Sequence, residues 1–203
     1  MKKIIRLIQC VVIFHIITST DCHGFPQQEY NENAIALKIN NSIPYHVNDT
    51  IWVDAWVSRK VYNLEAQDSV LINSQKPLII GLYKLASGNT SFNVKYADNI
   101  TKITSANTFN SMGNSCTINP SSFNGIISLD KRMERFKVGI IPKEPGDYLI
   151  SFNDNVMMKD VNTQHQILQN YPVSGDKQLV WEPCNGSNIS GNVAYYDVFV
   201  KVQ

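Results

Sequence analysis

NDTIWVDAWVSRK, residues 48–60, is the stretch on which the reading of this chain turns. Ile51, Val53, Ala55 and Val57 fall on one side, and Trp52, Asp54 and Trp56 on the other. That period of two is the one side chains follow along a β-strand. The aliphatic row is unbroken, whereas the tryptophan row carries Asp54 at its centre, and a carboxylate is rarely buried without a partner. The aliphatic row is therefore expected to face a core and the tryptophans to face outward. Two outcomes follow for them. Either a neighbouring segment, 58–76 or 98–124, lies over them and they are structural, or they form an open strip whose candidate ligand-binding residues are Trp52, Trp56 and Asp54.

The same alternation recurs along the chain. AIALKIN (34–40) and the terminal YYDVFVKV (195–202) read as half-buried strands, and PLIIGLYKLA (77–86) is apolar enough for a central one, with Gly81 a candidate bulge. SFNVKYA (91–97) follows the turn residues Ser87, Gly88 and Asn89 and completes a hairpin. ERFKVGIIP (134–142) and DYLISFN (147–153), joined by KEPG (143–146), read as a second hairpin, and KQLVWEP (177–183) as a further strand. Residues 98–124, dense in Asn, Ser and Thr, read as a long irregular insertion held at Cys116, and 154–177 leaves room for one short helix around Ile167, Leu168 and Tyr171. Six to eight short strands with no βαβ alternation predict an all-β antiparallel β-sandwich, with a small barrel as the alternative.

Two stretches sharpen this expectation. PGDYLISF (145–152) is similar to the end of an immunoglobulin-like domain, where a tight turn leads into a strand opened by a tyrosine. VNDTIWVDAWV (47–57) resembles a strand opening seen in many exported bacterial sandwich proteins. Together with YYDVFVKV, these stretches resemble secreted immunoglobulin-like β-sandwich proteins of Bacteroidetes type. The resemblance implies one immunoglobulin-like sandwich over 34–203, preceded by a short linker at 23–33, and brings no assigned activity with it.

Residues 1–22 read as a secretory signal peptide. Lys2, Lys3 and Arg6 supply the basic start, and Leu7 to Ile17 an apolar run too short to span a bilayer. The expected location is outside the cytoplasm: secreted, periplasmic or in the cell envelope. Contact with a membrane enters only if Cys22 is lipidated, and Asp21 directly before it suits a lipoprotein signal badly. Cys10 and Cys22 leave with the signal or lie at its edge, so Cys116 and Cys184 are the expected disulfide, closing a long loop for about 3–4 kcal/mol.

The chain has 18 basic and 17 acidic residues, and loss of the signal brings it close to neutral. No Lys/Arg run remains, which argues against a nucleic-acid partner. His23, His46 and His165 are not spaced as metal ligands, and no nucleophile elbow or phosphate loop occurs. No cofactor and no metal is expected. Asn153, Asp154, Asn155 and Asp160 offer oxygens without calcium-loop spacing. Sequons at Asn40, Asn48, Asn89, Asn99, Asn185 and Asn188 serve as surface markers. Asp54, Glu134, Asp147 and Asp154 are the acids from which a glycosidase pair would be drawn. Trp181, Tyr195 and Tyr196 add further aromatic surface.

These observations lead to an exported, non-enzymatic binding or interaction module for a glycan or a cell-surface protein. A carbohydrate-active hydrolase using a carboxylate pair and a structural envelope component are the alternatives.

Overall fold

The computed structural model describes residues 30–40, 44–73, 76–87, 90–97, 100–104, 108–110, 121–152, 156–183, 186 and 189–203. The signal segment, Cys116, Cys184 and Asn153–Asn155 lie outside them. In chain order the strands begin with β1 (Tyr30–Asn31), β2 (Ile35–Ile39), β3 (Ile51–Ser58), β4 (Lys60–Asn63), β5 (Asp68–Leu71) and β6 (Leu78–Leu85). There follow β7 (Val94–Tyr96), β8 (Ile100–Thr104), β9 (Thr108–Asn110), β10 (Ser121–Phe123), β11 (Ile126–Ile127) and β12 (Met133–Pro142). The last are β13 (Gly146–Phe152), β14 (Val156–Met158), β15 (Leu179–Val180), β16 (Ser190–Gly191) and β17 (Val198–Val202), with a 3-10 helix at His165–Asn170.

Two sheets face each other. In the first, β2, β3, β12 and β8 pair antiparallel in that order, extended by β14 beside β2, β9 beside β8 and β11 beside β12. In the second, β6, β13 and β17 pair antiparallel, with β10 and β7 along β6. The alternating rows meet between them: Ile51, Val53, Ala55 and Val57 with Phe136, Val138 and Ile140 from one wall, Ile80, Ile150 and Val200 from the other. The aliphatic row of β3 is thus in the core, as its unbroken apolar character requires. The chain is a β-sandwich.

The second sheet is buried on both faces. Tyr83, Leu85, Leu149 and Phe199 point away from the first sheet and are covered by Ile167, Leu168, Tyr171, Trp181 and Val193. This second burial explains why LIIGLYKL and YLISF read as nearly continuous apolar runs, the mark of a strand with no solvent face. The free edge of β17 is closed as well: Lys201 accepts from the Tyr45 N–H at 2.9 Å, and the Phe199 N–H donates to Thr163 at 3.0 Å. An exposed edge is a template for aggregation, and these contacts remove it.

Four expectations change. β12 and β13 are not a hairpin; they lie in different sheets, and Lys143–Pro145 carries the chain across the sandwich. The reason is the backbone: β3 and β8 occupy both edges of β12 over residues 138–140, leaving no ladder for β13. The crossing is fixed by the Tyr148 hydroxyl, which donates to the Glu144 carbonyl at 2.8 Å, and by a 2.9 Å ion pair between Lys84 and Glu144. Secondly, the stretch read as an irregular insertion contains β8, β9 and β10. The β-branched residues Ile100, Thr101, Ile103 and Thr104 outweigh the surrounding Asn and Ser. Thirdly, Gly81 pairs in regular register with Ser151 and is no bulge. A Cβ there would stand 2.8 Å from the Tyr83 ring, which occupies that space. Finally, Tyr30 and Asn31, read as linker, pair with β4.

Candidate functional site

The outer face of the first sheet carries Trp52, Asp54 and Trp56, where alternation along β3 places them. Across the ladder, Trp52 stands opposite Gly139, Asp54 opposite Lys137 on one side and Lys38 on the other, and Trp56 opposite Arg135 and Ala36. The two tryptophans are not equivalent. Trp52 is 38 % exposed, and its indole fills the space left by Gly139, where a Cβ would come within 3.0 Å of the ring. The Lys137 ammonium lies 4.9 Å from the Trp52 ring centroid. Such a contact is worth about 0.5–1 kcal/mol at an exposed site. Trp52 is therefore already engaged by its own sheet.

Trp56 is half-buried and forms the wall of an open trough of about 870 Å³. Ile126, Ile127, Ser128 and Met133 line its far side, and Asp54, Arg135 and Lys137 its rim. Ile126 is 59 % exposed, a large aliphatic side chain at the mouth of this depression. The sequence reading missed the β11 wall, because ISLDKRM carries no alternation long enough to mark a strand.

Cations collect around the trough. Lys38, Arg135 and Lys137 are exposed on the sheet, and Lys131 and Arg132 are exposed in the turn between the lining residues Ser128 and Met133. The exposed acids on the same strands and turn are Asp54 and Asp130. Hydrogen bonds from the Ser128 hydroxyl and the Arg132 N–H hold the Asp130 carboxyl below its ordinary range.

The acids considered as a hydrolytic pair are kept apart. Glu134 alternates to the inner face of β12 and is 1 % exposed. Its Oε1 accepts the Gly125 N–H at 3.0 Å and its Oε2 the Lys76 N–H at 3.3 Å, so it clamps two connecting segments. Asp147 lies in the second sheet and accepts the Tyr171 hydroxyl at 2.7 Å. Burial, followed by Asp147 itself, pushes the Tyr171 phenol up. Asp54 thus has neither of these carboxylates on its face; Asp154 lies outside the described residues. Among the described residues no group of three His, Cys, Asp or Glu side chains is gathered for a metal.

The tertiary structure also brings together Ser151, His165 and Asp197, a set that sequence reading did not connect. Asp197 is 3 % exposed, and its Oδ2 accepts the Ala194 N–H at 2.8 Å. Burial raises its pKa, opposed by the nearby Ser151 hydroxyl, the Ala194 N–H and His165. In a nucleophilic relay the imidazole stands between hydroxyl and carboxylate. Here the carboxylate is the shared neighbour, and His165 Nε2 faces the Asp197 main-chain oxygen at 3.0 Å. The arrangement anchors the 3-10 helix to the turn before β17.

A raised carboxyl pKa in the native state means that the folded chain binds the proton more readily than the unfolded one. The stability it contributes is complete below the ordinary carboxyl pKa and is lost as pH rises through the folded value. Asp197→Asn is accordingly expected to be more stable than the wild type at pH 7.5, with the difference closing as pH falls toward the ordinary carboxyl range. Thermal unfolding of both proteins across pH 4–7.5 checks this; a gap that widens on acidification contradicts it.

Lys102, its amine pKa lowered by burial, donates to the Ser121 hydroxyl and ties β8 of one sheet to β10 of the other. Trp181 packs edge-on against Tyr83 in the second core, and Tyr195 is exposed beside Tyr196. Of the sequon residues, Asn40 and Asn48 are exposed and the rest lie outside the described residues. Comparison with protein-family profiles, with curated proteins and with solved structures gives no match, so the functional argument rests on the geometry of the chain itself.

Proposed function

We propose that this chain is an exported, non-enzymatic recognition module of immunoglobulin-like type that binds its ligand in the Trp56 trough. The observation that carries the reading is that trough: an indole wall and an aliphatic side under a charged rim, on a sheet face that no other layer of the described fold covers. Concave apolar surface with a few convergent polar groups is the usual form of a binding site. The signal-like start of the sequence supports export.

The immunoglobulin-like assignment is supported by the order of the pairings. β2, β3, β12 and β8 stand in the places of strands A, B, E and D, and β6, β13 and β17 in those of C, F and G. The Tyr148 hydroxyl bonded back to Glu144 has the form of the tyrosine corner at the E–F crossing of such domains.

Trp56→Ala is expected to weaken binding by about tenfold or more, the scale of a buried tryptophan anchor. Trp52→Ala is expected to weaken it much less, because that ring is held by Gly139 and Lys137. A glycan array probed with the wild type and both variants tests this. Equal binding by the wild type and Trp56→Ala removes the trough as the site.

A further inference from the structure

The ligand class can be narrowed, and this step rests on the recognition reading above. We propose that the Trp56 trough binds a carboxylated polysaccharide, a chain of sugar rings bearing uronate-type acids. Charge complementarity is the first reason. The chain as a whole is nearly neutral, with 18 basic and 17 acidic residues. Yet the trough itself is lined by two cations, Arg135 and Lys137, against one acid, Asp54. Lys131 and Arg132 are exposed in the turn joining its lining residues Ser128 and Met133, where Asp130 is already bonded within the turn, and Lys38 stands across Asp54 from Lys137. An electropositive rim of this kind selects an anion and steers its approach.

The second reason is the planar fork of Arg135, directly across the ladder from Trp56. A guanidinium donates two parallel hydrogen bonds to a carboxylate, which sets orientation as well as charge. Beside it, the Lys137 amine is held over the Trp52 ring and so stays at the rim.

The third reason is what the floor lacks. At the trough, Arg135 pairs with Trp56 and with Ile126, and Asp54 sits between Lys38 and Lys137. Under Trp56 and Asp54 the backbone is committed to ladders on both sides. The lining strand β11, paired on one side only among the described residues, is two residues long, too short a template for an added peptide strand. Recognition has to come from side chains alone. An indole face for the C–H side of a sugar ring, Asp54 and Ser128 for hydroxyls, and Arg135 and Lys137 for the acid together match a charged glycan.

The test uses polygalacturonate and its fully methyl-esterified form, which keeps the rings and removes the charge, with dextran as a neutral glycan and polyglutamate as an acidic peptide. Binding of the full chain is measured by biolayer interferometry at low and moderate salt. Polygalacturonate is expected to bind, with affinity falling about tenfold or more on esterification and about tenfold in Arg135→Ala. Lys201→Ala, an exposed charge on β17, should leave binding unchanged, and thermal midpoints equal to wild type show that the variants fold. Equal binding to the esterified chain or to dextran overturns the acidic-ligand proposal while leaving the recognition reading standing. Equal binding to polyglutamate overturns it too, since charge without a sugar would suffice. Loss of all binding, to these four polymers and on the glycan array, overturns both.

Discussion

Phe199→Ala is expected to cost about 3–5 kcal/mol, the range for emptying the site of a buried phenylalanine. That is a large part of the roughly 5–15 kcal/mol available to a domain. Phe199 is 0 % exposed although it points away from the space between the two sheets. Its neighbours Val198 and Val200 fill that space, while Phe199 meets the covering segment on the other side, with the His165 ring edge-on at 5.8 Å. The substitution therefore tests the second layer of burial and not the sandwich core. In urea the unfolding midpoint should fall by about 1.5–2.5 M for a denaturant slope near 2 kcal/mol/M. Loss of the near-ultraviolet signal from Trp181 should accompany it, because Trp181 packs in the same cluster. A cost below about 1 kcal/mol would mean that the covering residues Ile167, Leu168, Tyr171, Trp181 and Val193 merely lie against the sheet without being part of its core.

Glu134→Ala is expected to be the second most damaging change, at about 3 kcal/mol. Hydrogen bonds to a charged group contribute about 1.5–3 kcal/mol each, and this carboxylate accepts two. Alanine would leave the Gly125 and Lys76 N–H groups without their acceptor. Glu134→Gln keeps one acceptor and turns an amide toward the other N–H, so about half the loss is expected. The effect also reaches the ligand face. Gly125 directly precedes β11, whose Ile126 and Ile127 line the trough, and a Cβ at Gly125 would lie 2.4 Å from the Glu134 side chain. Urea denaturation gives the stability, and hydrogen exchange at the Gly125 amide gives the local opening. An amide as protected in Glu134→Ala as in the wild type would refute the clamp.

Much of the fold was legible because side-chain direction in a strand is local. Val53 and Ala55 are in the core, and Trp52, Asp54 and Trp56 outside it, as the pattern of residues 51–57 demanded. The short helix falls where Ile167 and Leu168 allowed one. What failed was partnership. Two alternating strands joined by a tight connection look like a hairpin, and β12 and β13 were read so. Whether the second strand turns back or crosses depends on which edges are already taken, and residues far away in sequence take them. The continuous apolar runs in β6 and β13 announced burial on both faces, but not the segment that supplies the second cover.

The candidate site divides the same way. Alternation alone brought Trp52, Asp54 and Trp56 to one face, and composition alone made the chain nearly neutral. Only the tertiary structure separated the two tryptophans, by laying one over Gly139 and under Lys137 and opening the other to a trough walled by β11. Only it set Lys38 of one strand and Lys137 of another on either side of Asp54, and put Glu134, two residues before Phe136, to structural use. A period of two follows from the geometry of one strand; a surface is made by strands whose order and register are decided by the packing of the whole chain.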